Sequence, residues 1–146
     1  MYHGIYCVVN NRYRSSFWKM IVSFLYKSTQ TWYIDCLDCL NDVEITNRAY
    51  TLRELQDLFD KEPDLFSARL LAVPINQPLN SSICTCDDYL SSNCECLILC
   101  VDGTSFDIYI KDQLLLSAFF NHLLSEKNVQ INLIDSSFGG RTLLTV

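Results

Sequence analysis

The chain has 146 residues, of which 49 % are hydrophobic and 19 % charged, and its net charge is −6. A chain of this length and composition can bury most of its apolar surface, which excludes a disordered protein and a mini-protein that depends on disulfides. We predict a single globular domain over residues 1–146.

The charges are divided unevenly along the chain. Residues 1–34 hold four basic residues and no acid, whereas residues 35–146 hold all 17 acids and seven bases. Phosphate binding needs a broad basic face, so we expect no nucleic-acid partner. The excess of acid is consistent either with a basic first helix packed beside an acidic remainder or with an acidic face for a basic protein.

The N-terminal sequence does not have the pattern of an export signal. Met1–Gly4 has no basic residue, and Arg12 and Arg14 interrupt the apolar run that follows. The apolar stretch Phe17–Tyr26 contains Lys19 and is about half of the ~20 residues that cross a bilayer. We therefore expect a cytoplasmic protein without a membrane partner, whose eight cysteines are reduced.

Hydrophobic spacing and capping signals predict the elements of the first half. Ser15 or Ser16 is expected to cap the first helix, and Thr51 and Glu54 form the capping box of the second. Apolar and β-branched runs predict one strand before the first helix, one between the two helices and one after the second, at Gly4–Val9, Trp32–Leu40 and Phe66–Val73 respectively.

The second half begins with a loop at Ile75–Ser82 and a short helical turn from Ser82 or Thr85 to Tyr89. Asp102-Gly103 is a strong hairpin signal between two strands. In the later strand Phe106, Ile108 and Ile110 alternate with Asp107, Tyr109 and Lys111, which predicts one solvated face. Beyond it we predict a helix capped by Asp112 and extending to about Lys127, a strand at Val129–Leu133, and a Phe138-Gly139-Gly140 turn into a last strand, Arg141–Val146.

These elements predict an α+β fold with a single mixed sheet flanked by helices. From Phe66 onward their order is β-α-β-β-α-β, which matches a ferredoxin-like arrangement. The Cys94–Lys111 hairpin is expected at or near the centre of the sheet, with the Gln113–Lys127 helix across it. The side chains that we expect to be nearly free of solvent are Leu97, Leu99, Phe106, Ile108, Leu115, Phe119 and Leu123.

Cysteines supply the first candidate chemistry. Cys36-x-x-Cys39, with Cys84-x-Cys86 as a second pair, has some of the spacing of a structural zinc site. The first pair lies on a predicted strand without the Gly or Pro of a zinc knuckle, so ordinary thiols are favoured over zinc. A redox role is disfavoured because no helix follows Cys39 and nearby aspartates raise a thiol pKa. We predict no metal and no cofactor.

The remaining candidates are the two histidines and a glycine turn. His122 lies near the end of a long helix, where it is favourable to the helix dipole and needs no further role, although a Cys–His pair stays open. Gly139-Gly140-Arg141 has the composition of an anion-binding turn but lacks the helix and lysine of a phosphate loop, which favours a plain turn.

Two C-terminal stretches carry a family resemblance. The segment from Cys86 to Asp112 and the end Arg141–Val146, with His3-Gly4-Ile5 and Trp32, resemble a Bacillus- and Clostridium-type domain-of-unknown-function family, number 2691. These signatures are those of strands and helices, so the resemblance implies the fold and carries no catalytic or cofactor residue.

Two hypotheses for function follow. The first is a non-enzymatic protein-binding module, immunity-like or regulatory, that engages a basic partner. The second is a small enzyme or small-ligand-binding protein with a site near Cys36, Cys39 and His122, and the oligomeric state stays open. The residues of the expected acidic face are Asp35, Asp38, Asp42, Glu44, Asp57, Asp60, Glu62 and Asp64.

Overall fold

The computed structural model describes residues 1–135 and 143–146. Within them the helices are α1 Arg14–Leu25, α2 Leu52–Asp60, α3 Cys86–Ser91 and α4 Gln113–Leu124, and a 3-10 turn precedes α1. The strands are β1 Gly4–Val9, β2 Gln30–Cys39, β3 Ala49–Tyr50, β4 Leu65–Pro74, β5 Cys96–Cys100, β6 Ser105–Ile110 and β7 Val129–Ile134. The α+β class predicted from the sequence is confirmed.

The strands form one seven-stranded sheet in the order β3-β2-β4-β5-β6-β1-β7. Every described pairing is antiparallel, so the expectation of a mixed sheet is wrong. β6 and β7 run parallel to each other on either side of β1, and α4 connects them. The ferredoxin-like arrangement is not confirmed, because β4, β5 and β6 are consecutive antiparallel neighbours without a crossover between them.

The β5–β6 hairpin lies at the centre of the sheet, as predicted. Asp102 Oδ1 accepts hydrogen bonds from the Thr104 and Ser105 amides at 3.1 and 2.8 Å, and Gly103 has a φ of 79° that favours glycine. Every residue of both strands is buried. The solvated face expected at Asp107 and Tyr109 is wrong, because both side chains are fully buried beneath a second hydrophobic cluster.

The first face of the sheet is covered by α1, α2 and α4. Trp18 of α1 is fully buried, donates from Nε1 to the Leu65 carbonyl at 2.8 Å, and packs edge-on against Phe106 with ring centroids 5.0 Å apart. In α4, Phe119 and Leu123 are buried as predicted. Leu115 is only half-buried at the edge of this core, and Leu116 is the fully buried residue of the first turn, because residues 116, 119 and 123 share one helix face.

The second face is covered by α3, the segment before it and the last residues of the chain. Ile83, Tyr89 and Leu144 are buried against Leu97 and Leu99. Arg69 of β4 holds this cover down, since its Nη1 donates to the Ile83 carbonyl at 2.6 Å and to the Leu144 carbonyl at 2.9 Å. The sheet therefore has a hydrophobic cluster on each face.

Three of the predicted helix starts are confirmed. Thr51 and Thr85 each form a capping box, with Glu54 and Asp88 respectively, and Asp112 caps α4. The cap expected at Ser15 or Ser16 is wrong, because Asn10 caps the preceding 3-10 turn and α1 starts directly from it at Arg14. The predicted Phe138–Gly140 turn lies outside the described residues, and residues 143–146 are not a strand.

A buried ion pair joins α1 to the start of β4. The Arg14 guanidinium binds both carboxylate oxygens of Asp64 at 2.6 and 3.2 Å and donates to the Gly103 carbonyl at 3.0 Å. The Arg14 side chain is 6 % exposed and that of Asp64 is 27 % exposed. One side chain thus connects the first helix, the fourth strand and the central hairpin turn.

Asp64→Ala is expected to lower the free energy of unfolding by about 2–3 kcal/mol, because it leaves the buried Arg14 charge without its carboxylate. Asp38→Ala is the matched control, since it removes an exposed aspartate and is expected to cost less than about 0.5 kcal/mol. Urea denaturation of both variants measures the difference. Equal stabilities would show that the ion pair contributes nothing.

Candidate functional site

The acidic residues of α2 and of the segment after β2 lie at one end of the sheet. Asn41 joins them, because its Nδ2 donates to the Glu62 carbonyl at 3.0 Å and its Oδ1 accepts from the Asp64 amide at 3.1 Å. Glu44 and Asp57 line the same open groove of about 330 Å³. We call this the acidic surface, and its exposed carboxylates are Asp42, Glu44, Asp57, Asp60 and Glu62.

α2 sets the positions of two of these carboxylates. Leu55, Leu58 and Phe59 are buried against the sheet, so Asp57 and Asp60 are exposed on the opposite side of the helix, three residues apart. Side chains at this spacing are neighbours on a helix surface. Asp57 and Asp60 also line a groove of about 590 Å³ between α1 and α2.

Basic residues also border the acidic surface. Lys61 and Arg48 line the groove with Asp57. Arg48 is already engaged, since its Nη1 lies 2.7 Å from Glu54 Oε2 and its guanidinium stacks 3.8 Å from the centroid of the Tyr50 ring. Thr51 and Arg48 hold the pKa of the Glu54 carboxyl below its usual range through hydrogen bonds. Lys61 lies beside these carboxylates, as do Lys19 and Arg53 in the groove between α1 and α2, and the five exposed carboxylates outnumber these three bases.

Two residues of the expected acidic face lie on the other face of the sheet. Asp35 pairs with Arg69 and Asp38 pairs with Ser67, and cross-strand partners share a face. The register shift between Cys36 and Asp38 places both aspartates on the face opposite α2. Asp35 Oδ2 lies 3.9 Å from Arg69 Nη2.

Asp64 is the third exception, because it is turned inward to Arg14. The structure therefore brings together five of the eight acidic residues expected on one face, Asp42, Glu44, Asp57, Asp60 and Glu62, and separates Asp35, Asp38 and Asp64 from them.

Cys36 and Cys39 are half-buried on β2, on the same side as α2. Burial, with smaller contributions from Cys39 and nearby aspartates, raises the pKa of the Cys36 thiol to about 11. Cys39 Sγ lies 3.3 Å from Asn41 Oδ1 and 3.6 Å from the Val43 carbonyl, to which a protonated thiol donates. Cys36 is thus placed as a protonated packing group, and the Cys39 thiol is held beside Asn41 and Val43.

Cys84 and Cys86 do not share a face. Cys84 is exposed and lies just before the helix cap, whereas Cys86 starts α3 and packs into the cluster on the second face. All eight cysteines are free thiols, and among residues 1–135 and 143–146 no group of three or more His, Cys, Asp or Glu is placed to hold a metal ion.

His122 is separated from the cysteine pair on β2. Its ring lies 5.0 Å from that of Phe24 in α1, and its Nε2 lies 3.6 Å from Glu126 Oε1. α4 packs on β6 and β7, while β4 and β5 lie between β2 and β6. Adjacent strands are about 4.8 Å apart, so β2 and β6 are separated by roughly 14 Å. The site hypothesised near Cys36, Cys39 and His122 is not assembled.

Sequence reasoning did not predict that a side chain and a two-residue strand cover the outer edge of β2. The Asn47 side chain accepts from the Cys36 amide at 2.8 Å and donates to the Cys36 carbonyl at 3.2 Å, as a neighbouring strand would. Beside it β3 has only two residues. A single asparagine two residues before a two-residue strand is too weak a signal to predict that its side chain covers the edge of β2.

Among the described residues no helix is long and apolar enough to cross a membrane. A family model described as a protein of unknown function (DUF2691) matches residues 2–145. No curated protein and no solved structure matches the chain.

The thiols differ in how quickly an alkylating reagent should reach them. At pH 8 a thiol with a pKa near 11 is thiolate in roughly one molecule per thousand, so Cys36 is expected to react far more slowly than the exposed Cys84. Because the shift is upward, labelling of Cys36 should rise with pH through the alkaline range.

Time-resolved mass spectrometry of iodoacetamide labelling measures these rates. Protein unfolded in denaturant is the control, in which all eight cysteines should react at similar rates. Labelling of native Cys36 as fast as Cys84 would contradict the protonated state inferred for it.

Proposed function

We propose that this chain, which belongs to the DUF2691 family, is a non-enzymatic protein-binding module whose acidic surface engages a basic protein to inhibit or regulate it. The observation that carries the proposal is the cluster of five exposed carboxylates at one end of the sheet, Asp42, Glu44, Asp57, Asp60 and Glu62. The role that we propose for this binding is immunity-like or regulatory.

The backbone of the acidic surface is fixed before any partner binds. Asn41 fixes the segment after β2 to the end of α2, and the Thr51–Glu54 capping box fixes the start of that helix. A backbone that is already fixed loses little conformational entropy when the surface binds. Charges within a screening length of about 8 Å act together at physiological salt, and this accelerates association with an oppositely charged partner.

A non-catalytic role is supported by the candidate nucleophiles. A pKa near 11 keeps the Cys36 thiol protonated at neutral pH, and His122 contacts Phe24 and Glu126 on the helix that packs on β6 and β7, away from β2. Nucleophilic catalysis requires a base within hydrogen-bonding distance of a thiol that ionises readily. A cytoplasmic location is part of the proposal, since it would keep the eight free cysteines reduced.

The acidic surface is tested by the triple variant Asp57→Asn, Asp60→Asn and Glu62→Gln. We expect it to bind the partner at least about tenfold more weakly than wild type at low salt, because the surface loses most of its attractive field. The partner is captured from a lysate of the native host, identified by mass spectrometry and purified. Its affinity and association rate are then measured at about 0.05 M and about 0.5 M salt.

The matched control is Asp38→Asn, Asp87→Asn and Glu126→Gln, which removes three exposed carboxylates that lie outside the acidic surface. It should bind as wild type does, although its net charge equals that of the acidic-surface variant. A partner held with equal affinity by both variants, or independently of salt, would contradict the proposal.

A further inference from the structure

The outer edge of β7 is open among the described residues. β7 pairs with β1 in unbroken register from Gly4–Ile134 to Val9–Val129, and no described strand pairs with its other side. Val9 donates to the Thr104 carbonyl and Ile110 to the His3 carbonyl, so alternate β1 residues face β6 and the others face β7. By this alternation the amides of Ile131 and Leu133 point away from β1, toward the open edge.

The two edges of the sheet differ in how their backbone groups are covered. At the β2 end, the two-residue β3 and the Asn47 side chain occupy the edge. The β7 end is a six-residue strand, Val-Gln-Ile-Asn-Leu-Ile, with no charged residue, no proline and no register shift against β1. Proteins usually protect an edge of this length with a lysine, a proline or a bulge.

The exposed side of α4, the helix that packs on β7, also has no Asp, Glu, Lys or Arg. α4 packs on β7 and β6, and its exposed residues are Gln113, Leu114, Ser117, Ala118, Asn121 and Leu124. Leu114 is 84 % exposed and Leu124 is 61 % exposed. Residues 113–125 and 128–134 contain no Asp, Glu, Lys or Arg, although these make up 19 % of the whole chain. We call β7 and the exposed residues of α4 the neutral edge.

We propose that the neutral edge is a dimer interface, in which β7 pairs antiparallel with β7 of a second copy of this chain and the two α4 helices lie alongside. An antiparallel edge is complementary to itself, because a two-fold axis sets each outward N–H against an outward carbonyl of the other copy. The pairing continues the sheet from seven strands to fourteen.

The charges of the chain favour a second copy of it, rather than a basic protein, as the partner that binds the neutral edge. Two copies that each carry a charge of −6 repel over most of their surfaces and meet without ionic repulsion where neither has charges. A basic partner gains nothing from the neutral edge and is attracted to the acidic surface. That surface lies at the β2 end of the sheet, five strands away from β7, and dimerisation leaves it free.

Sedimentation of the full chain at concentrations up to about 0.5 mM tests the dimer. We expect a species of twice the chain mass of 16.9 kDa, and its dissociation constant should fall as salt is raised, since salt screens the repulsion between the acidic copies. This salt dependence is opposite to that of a basic partner on the acidic surface. A chain that stays monomeric throughout this range would overturn the proposal.

The variant Gln130→Lys with Asn132→Lys places like charges opposite each other across the two-fold axis and should abolish the dimer. Ser28→Lys with Gln77→Lys adds the same charge at exposed positions away from β7 and should leave the dimer unchanged. Leu114→Glu with Leu124→Glu leaves the strand untouched and should weaken dimerisation by at least about tenfold. A folded edge variant, verified by circular dichroism, that dimerises as wild type does would equally overturn the proposal.

Discussion

Burial of the central hairpin on both faces is the constraint on which the rest of the structure depends. Leu97 and Leu99 point to one side of β5, while Cys96, Ile98 and Cys100 point to the other, and all are buried. An antiparallel sheet can leave one face in water, and such strands alternate apolar and polar residues. Here both faces must be covered, which accounts for three helices on one side and for the α3 region with the chain end on the other.

The two covers are held in different ways. On the first face, helices with wide apolar stripes pack against the sheet, and the Arg14–Asp64 pair joins α1 to β4. On the second face, the cover is shorter and depends on directed hydrogen bonds from Arg69 and on the bond from the Leu144 amide to the Cys84 carbonyl at 2.7 Å. With both faces occupied, the surfaces available to partners are the two ends of the sheet and the outer sides of the helices.

The sequence predicted what local periodicity and capping control, and it missed what distant contacts control. The hairpin at Asp102-Gly103 and the caps at Thr51 and Asp112 depend on neighbouring residues and were predicted correctly. The burial of Asp107 and Tyr109 depends on a cover contributed by residues far along the chain, so their alternation with apolar residues suggested a solvated face.

The candidate sites show the same limit. Asp57 and Asp60 share a helix face, which their spacing predicts, but strict strand alternation places Asp35 and Asp38 on opposite faces. The register shift after Cys36 puts them on one face, away from α2. Such a bulge depends on how β2 pairs with β4 and has no signal in the sequence of β2 alone. The position of β7 at the end of the described sheet likewise follows from strand order, which local sequence does not encode.

Residue-resolved hydrogen exchange of the intact chain tests the two-sided burial of the hairpin most directly. Buried strands of this kind exchange only when the whole domain unfolds. We therefore expect the amides of β5 and β6 to exchange with a free energy equal to that of global unfolding measured by denaturant. Exchange of the β5 and β6 amides at a clearly lower free energy than global unfolding would show that the hairpin opens while the rest of the domain stays folded, and would contradict its burial on both faces.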